Sequence, residues 1–157
     1  MKEIRRQLAS LLDWSEAHVS FDAAVKGLPV AARGKVPKGL PYSAWQLVEH
    51  MRLAQADILE FCIRPQYTEK RWPQDYWPSS PMPPTARAWS ASLAQIRKDR
   101  AALIKLATDP RVELLAKVPA GTGQTVLREI LLVADHTAYH VGELVAVRRL
   151  LGHWARG

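Results

Sequence analysis

Where proline falls decides most of what this chain can become. Six of its eleven prolines, at 65, 73, 78, 81, 83 and 84, fall inside residues 65–84. Proline lacks the amide proton that a helix interior or a central strand needs, and its ring collides with the preceding helical turn. Residues 65–84 therefore read as a long loop. The aromatic side chains of Trp72, Tyr76 and Trp77 within it predict a loop that packs down, either sealing the end of the domain or closing over a substrate. Gly27, Pro29, Gly34, Pro37, Gly39 and Pro41 break residues 27–42 in the same way, and Asp109-Pro110, Pro119 and the Gly121-Thr122-Gly123 turn break the chain a third time.

Four stretches remain, each with helical periodicity. Residues 2 to about 26 carry Ile4, Leu8, Leu11, Ser15 and Val19 near one face with Leu12 beside them, which predicts a first helix. Ser43 followed by Gln46 is a capping-box pattern that opens a second helix running to about Ile63. A third begins near Thr85, places Trp89, Leu93, Ile96, Leu103, Ile104 and Ala107 on one stripe, and ends before Asp109-Pro110. The last opens at Thr125 with Arg128-Glu129 and continues to about Leu151, stopping at Gly152. The expected fold is all-α: a four-helix bundle with the long proline- and tryptophan-rich loop between its second and third helices, forming one domain over residues 1–157.

A net charge of +7 raises the question of an anionic partner. The excess is scattered through Arg5-Arg6, Arg33 with Lys35 and Lys38, Arg97-Lys98 with Arg100, and Arg148-Arg149, with no long basic block, so solvated surface charge is the expected role. No apolar run approaches the roughly 18 residues of a membrane span. Met1-Lys2-Glu3-Ile4-Arg5-Arg6 lacks the apolar core of a secretory signal, which makes a cytoplasmic location the expectation. The single cysteine, Cys62, lies among Ile58, Leu59, Phe61 and Ile63 and reads as a buried, inert thiol.

Chemistry concentrates in Asp135-His136-Thr137-Ala138-Tyr139-His140-Val141-Gly142-Glu143. Residues four apart on a helix lie within about 40° of each other with Cβ atoms roughly 5–6 Å apart, so His136 and His140 can reach one metal ion. Their face also carries Glu129, Leu132, Val133, Glu143 and Val147, and so points into the bundle. His50 sits among Leu47, Ala54 and Phe61 on the inward face of the second helix and can lie opposite the pair. A lone inward histidine is usually a hydrogen-bonded core residue. Three of them describe a metal centre with open coordination positions, as catalytic sites have.

Imidazole ligation suits zinc, nickel, iron or copper and does not choose among them; the expected cofactor is a divalent ion, zinc or nickel first and iron next. Glu143 is a candidate fourth ligand, base or, preferably, the group that orients an imidazole. Asp57 lies two turns beyond His50 on the inward side, whereas Glu49 and Asp135 point about 100° away from the ligand face. Arg100 projects onto the apolar stripe of the third helix, where it is expected to reach solvent, meet a carboxylate or receive an anionic substrate group. His18 projects near Leu8 and Leu11 as a core histidine within possible reach of the metal, and His153 is a helix-terminal residue.

Two segments resemble the DinB-like superfamily, and the likeness covers nearly the whole chain. They are Pro41-Tyr42-Ser43-Ala44-Trp45-Gln46-Leu47-Val48-Glu49-His50-Met51, and Ala134 to Leu144 followed by Arg148-Arg149-Leu150-Leu151-Gly152. The resemblance implies a metal triad of His50, His136 and His140. It implies metal-dependent chemistry on a small-molecule substrate, often with a low-molecular-weight thiol, and a homodimer; the superfamily's name does not imply DNA binding. The leading expectation is thus a metal-dependent transferase or hydrolase, with Glu143 orienting a ligand or moving a proton, Arg100 receiving an anionic group, and Trp72, Tyr76 and Trp77 closing the mouth. The alternatives are a non-catalytic binding protein stiffened by a structural metal and, on net charge alone, a nucleic-acid binder.

Overall fold

Ser43 shows how local sequence sets the architecture. Its side chain accepts from the Gln46 amide and Gln46 reaches back to the Ser43 amide, the capping box expected there, and this starts α3 (Ala44–Ile63). Thr85 and Thr125 cap α4 (Ala86–Thr108) and α5 (Val126–Leu150) by accepting from the amides of Ala88 and Arg128. At the other end of α5, Gly152 takes a positive φ of 75° that lets the chain leave the helix. The computed structural model describes residues 1–13 and 17–154. Among them are five α-helices and no strand, an all-α fold with only an isolated bridge between Lys117 and Thr125.

The predicted first helix is two. α1 (Lys2–Leu12) stops at Asp13, and α2 (Phe21–Val25) begins afresh because the Ser20 side chain accepts from the Ala23 amide. Val19 lies exposed between them, and Ser15, which the periodicity also put on that face, lies outside the described residues.

The directions of the long helices can be read from their cross-contacts. Glu49 meets Ser92 and Gln55 meets the Ile96 carbonyl, so α3 and α4 run parallel. His50 meets His136 and Tyr42 meets Glu143, so α5 runs against α3, and Arg5 meets the Ala107 carbonyl, so α1 runs against α4. Parallel neighbours joined in sequence need a connection that travels back the length of a helix. The segment between Ile63 and Ala86 does this, bonding to α3 in reverse order: Tyr67 to Asp57, Tyr76 to His50, Pro78 to Gln46 and Pro81 to Ser43. The proline-rich loop is thus a return strap laid along α3, and its path crosses His50.

Two apolar clusters fill the interior. One joins Leu47, Val48, Met51, Trp89, Ile96, Val141 and Leu144; the other joins Leu59, Leu103, Leu114, Val118, Ile130 and Val133 with Leu8 and Leu12 of α1. α5 has the length and mean hydropathy of a membrane span. Its buried positions nevertheless include Glu129, His140 and Arg148, which suits a core helix with polar work to do.

The expectation that the paired arginines are solvated charge fails at two positions. Arg5 is buried and donates to the carbonyls of Ala107 and Val112, at the end of α4. Arg148 is buried and donates to the carbonyls of Ala24 and Lys26, at the end of α2, and to that of His153. The last carbonyls of a helix have no partner within it, and a guanidinium presents several donors in a fixed fork that can answer them. Cys62 is buried as expected, and burial pushes its thiol up to about 12.

Candidate metal centre

α3 and α5 bring His50, His136 and His140 together. Their nearest ring nitrogens all lie within 4.8 Å of one another, and the Nε2 atoms of His50 and His136 are 3.0 Å apart. Nitrogens bound to one tetrahedral zinc stand about 3.4 Å apart, given Zn–N bonds of about 2.1 Å, and the observed spacing brackets that value. His50 and His140 are buried and His136 is half-buried.

The far side of two rings fixes their protonation. His50 Nδ1 lies 2.9 Å from the Tyr76 carbonyl, which can only accept, so Nδ1 carries the proton and Nε2 keeps its lone pair toward the cluster. His140 Nδ1 lies 2.6 Å from Glu143 Oε2, which holds the Nδ1 proton of that ring. Metal-bound histidines are characteristically supported from behind in this way. Burial, reinforced by the neighbouring imidazoles, lowers the His136 pKa to about 4, and burial is also the main cause lowering that of His50. Both are neutral at neutral pH, the state a metal ligand needs. The donor set therefore fits a divalent ion: three imidazoles converging, two of them anchored through Nδ1. Among the described residues no further histidine, cysteine or carboxylate joins the cluster.

Glu143, one turn beyond His140, bonds Nδ1 of that ring. Its other oxygen accepts from the Tyr42 hydroxyl, and burial followed by this bond raises the Tyr42 pKa. Tyr42 was not singled out by spacing, although it stands just ahead of the Ser43 cap that fixes its place. The loop supplies the rest. Trp77 stacks on His50 with ring centroids 3.9 Å apart and planes 7° from parallel, and the main chain of Tyr76 holds Nδ1 of the same ring. Trp72 stands 67% exposed with an edge toward His50. Asp57 accepts from the hydroxyls of Tyr67 and Tyr76, fastening the strap two turns along α3.

Other expected residues lie elsewhere. Arg100 is not among the imidazoles: it pairs with Asp13 at 3.0 Å and Asp22 at 2.7 Å, on the flank of α5 formed by Thr137, Ala138 and Val141. Of the three roles weighed for it, meeting a carboxylate is the one observed, because α1 and α2 end and begin beside α4 there. His18 is exposed and bonded to the neighbouring Val19 carbonyl, so it is neither a core histidine nor near the cluster. Glu49 points away as expected, pairing with Arg52 and accepting from Ser92 of α4, and Asp135 is exposed.

A cavity of about 620 Å³ opens beside His136, between α3, α5, the strap and the 120–124 turn. No curated protein and no solved structure matches this chain at a significant level. A family model described as the DinB superfamily matches residues 13–144, a span that contains all three histidines and most of the fold, and the chain belongs to that superfamily.

Proposed function

We propose that this protein is a metal-dependent enzyme, a thiol-dependent transferase or a hydrolase, acting in the cytoplasm on a small-molecule substrate. The observation that carries this reading is the pairing of a three-imidazole cluster with a cavity large enough for a substrate, directly beside it. A divalent ion, zinc or nickel first and iron next, supplies Lewis acidity there, sufficient to activate a thiol or a water molecule as a nucleophile.

The residues of the chain do the remainder. His50, His136 and His140 would hold the ion, and with three protein ligands it could also take a reactant. Glu143 holds the Nδ1 proton of His140 and so keeps Nε2 basic, and Tyr42 fixes the carboxylate that does this. Trp77 covers one face of His50 and keeps water from it. Trp72, lining the cavity, is placed to contact what enters. Arg100 takes no part in this proposal because two carboxylates already engage it.

Metal analysis of the purified chain, followed by turnover assays with thiol-conjugation and hydrolytic substrates, tests the reading. We expect about one divalent ion per chain, as one three-ligand site implies. Turnover in one of the two panels should disappear with a chelator and return with metal. Stoichiometric metal without turnover in either panel would sink the catalytic reading in favour of a structural ion. A homodimeric state belongs to the same proposal, and light scattering on the eluting protein reads it directly.

A further inference from the structure

The cavity beside the triad is not uniform along its length. His50 and Asp57 are seven residues apart on α3, as are Glu129 and His136 on α5, and seven helical residues span about 10 Å. Because the two helices run in opposite directions, this spacing sets Asp57 and Glu129 at one level, two turns from the imidazoles. Both carboxylates line the same cavity. Asp57 is 6% exposed and Glu129 2%.

One oxygen of Asp57 has no hydrogen bond. Asp57 Oδ2 accepts from Tyr67 and Tyr76, while Oδ1 is buried with no hydrogen-bond partner; Lys70 Nζ comes within 3.0 Å of it, outside hydrogen-bonding geometry. Glu129 Oε1 accepts from Arg128. The two cations reach in from the water side, with the Lys70 side chain 32% and the Arg128 side chain 57% exposed. Each can swing outward if a guest replaces it. Phe61, Tyr67 and Trp72 wall the same space, and their ring faces attract positive charge. Two buried carboxylates, one with an oxygen that has no hydrogen bond, and aromatic walls are together the chemistry of a site for an organic cation.

We propose that the Asp57 and Glu129 end of the cavity binds a cationic amino group of the substrate and so delivers the substrate's reacting end to the triad. The delivery rests on the metal-dependent reading above; the recognition of the amino group does not. Three carboxylates, Asp57, Glu69 and Glu129, line the cavity against one arginine, Arg128, which Glu129 already engages, so an anion entering this end meets net negative charge.

Calorimetric titration of the full chain with hexylammonium, hexanol and hexanoate, metal-free and metal-loaded, tests this. The three probes share one apolar chain and differ in their head group. Hexylammonium should bind about tenfold or more tighter than hexanol with or without metal, since a charge-assisted contact contributes about 1.5–3 kcal/mol. In the metal-free protein hexanoate should bind weakest. Glu129→Gln and Asp57→Asn should each weaken hexylammonium about fivefold or more while leaving hexanol unchanged. Equal binding of hexylammonium and hexanol by the native chain, or a preference for hexanoate in the metal-free protein, overturns the proposal, and neither result requires a variant to fold. Failure to take up metal with the hexylammonium preference intact would instead remove the metal centre and leave the cation site standing.

Discussion

Among the described residues, buried arginines and buried histidines occupy different kinds of place, and they are satisfied in opposite ways. Arg148 points its donors at backbone carbonyls: those of Ala24 and Lys26 at the end of α2, and that of His153 beyond α5. His50 and His140 spend their far nitrogens on a carbonyl and a carboxylate, then turn lone pairs toward one another and toward His136. Nε and Nη1 of the arginine both end on backbone carbonyls, which is what holding a fold together requires. The histidines leave their acceptors facing a common point, which is what receiving a cation requires. Burial alone does not separate the two roles; what is left unanswered does.

The contrast makes the largest prediction one of metal binding. Replacing His140 by Ala removes one of three ligands and should weaken affinity for the divalent ion by more than about a hundredfold, beyond what loss of a supporting residue causes. Competition against a chromogenic chelator reads this, with circular dichroism showing a helical protein still present. Retention of near-native affinity would mean the cluster does not bind metal as a unit. Arg148→Met should do the reverse. It strips donors from buried carbonyls and should cost about 2–3 kcal/mol of stability, measured by the urea midpoint, while metal stoichiometry stays at the native value. A metal-binding defect in that variant without loss of stability would erase the distinction.

The two kinds of place also differ in how visible they were in the sequence. His136 and His140 are four apart on one helix, so their meeting is a local consequence of helical geometry, and His50 followed from the inward face of a second helix. The Ser43 and Gln46 cap was equally local. Arg5 and Arg148 could not be found this way, because a guanidinium at a helix surface looks the same whether it faces water or the end of another helix. Only the packing of α1 against α4, and of α2 against α5, supplies those carbonyls. The break at Ser20 had a signal in the cap itself, but apolar periodicity carried across it. The parallel pairing of α3 and α4 was partly written in the length of the loop between them, since adjacent antiparallel helices need only a few connecting residues. That the loop would lie along α3 and place Trp77 on His50 depends on tertiary contacts made by Tyr67, Tyr76 and Pro81, which no spacing rule reveals.

A smaller effect probes the support behind the ligands. Glu143→Gln keeps an oxygen able to accept from His140 Nδ1 but removes the negative charge that makes the opposite nitrogen a better donor to metal. Affinity should fall about 10–100-fold with little change in stability, the range for residues that orient a ligand. An unchanged affinity would show that Glu143 is merely packed beside the ring, and would return the site to the same closed type as Arg148.

The smallest effect belongs to Tyr42, and it discriminates best. Its hydroxyl touches Glu143 and not the imidazoles, so Tyr42→Phe can reach the metal only by loosening the carboxylate. A single hydrogen bond of about 0.5–1.5 kcal/mol corresponds to a loss of about 2–10-fold in metal affinity. If the influence travels through Glu143, it must shrink when Glu143 is already Gln, because the two side chains act as one unit and their effects do not add. The double variant should therefore bind metal about as weakly as Glu143→Gln alone. Full additivity of the two losses would mean Tyr42 acts on the site by a separate path, such as through Trp77, with which it stacks at 6.0 Å and which in turn covers His50.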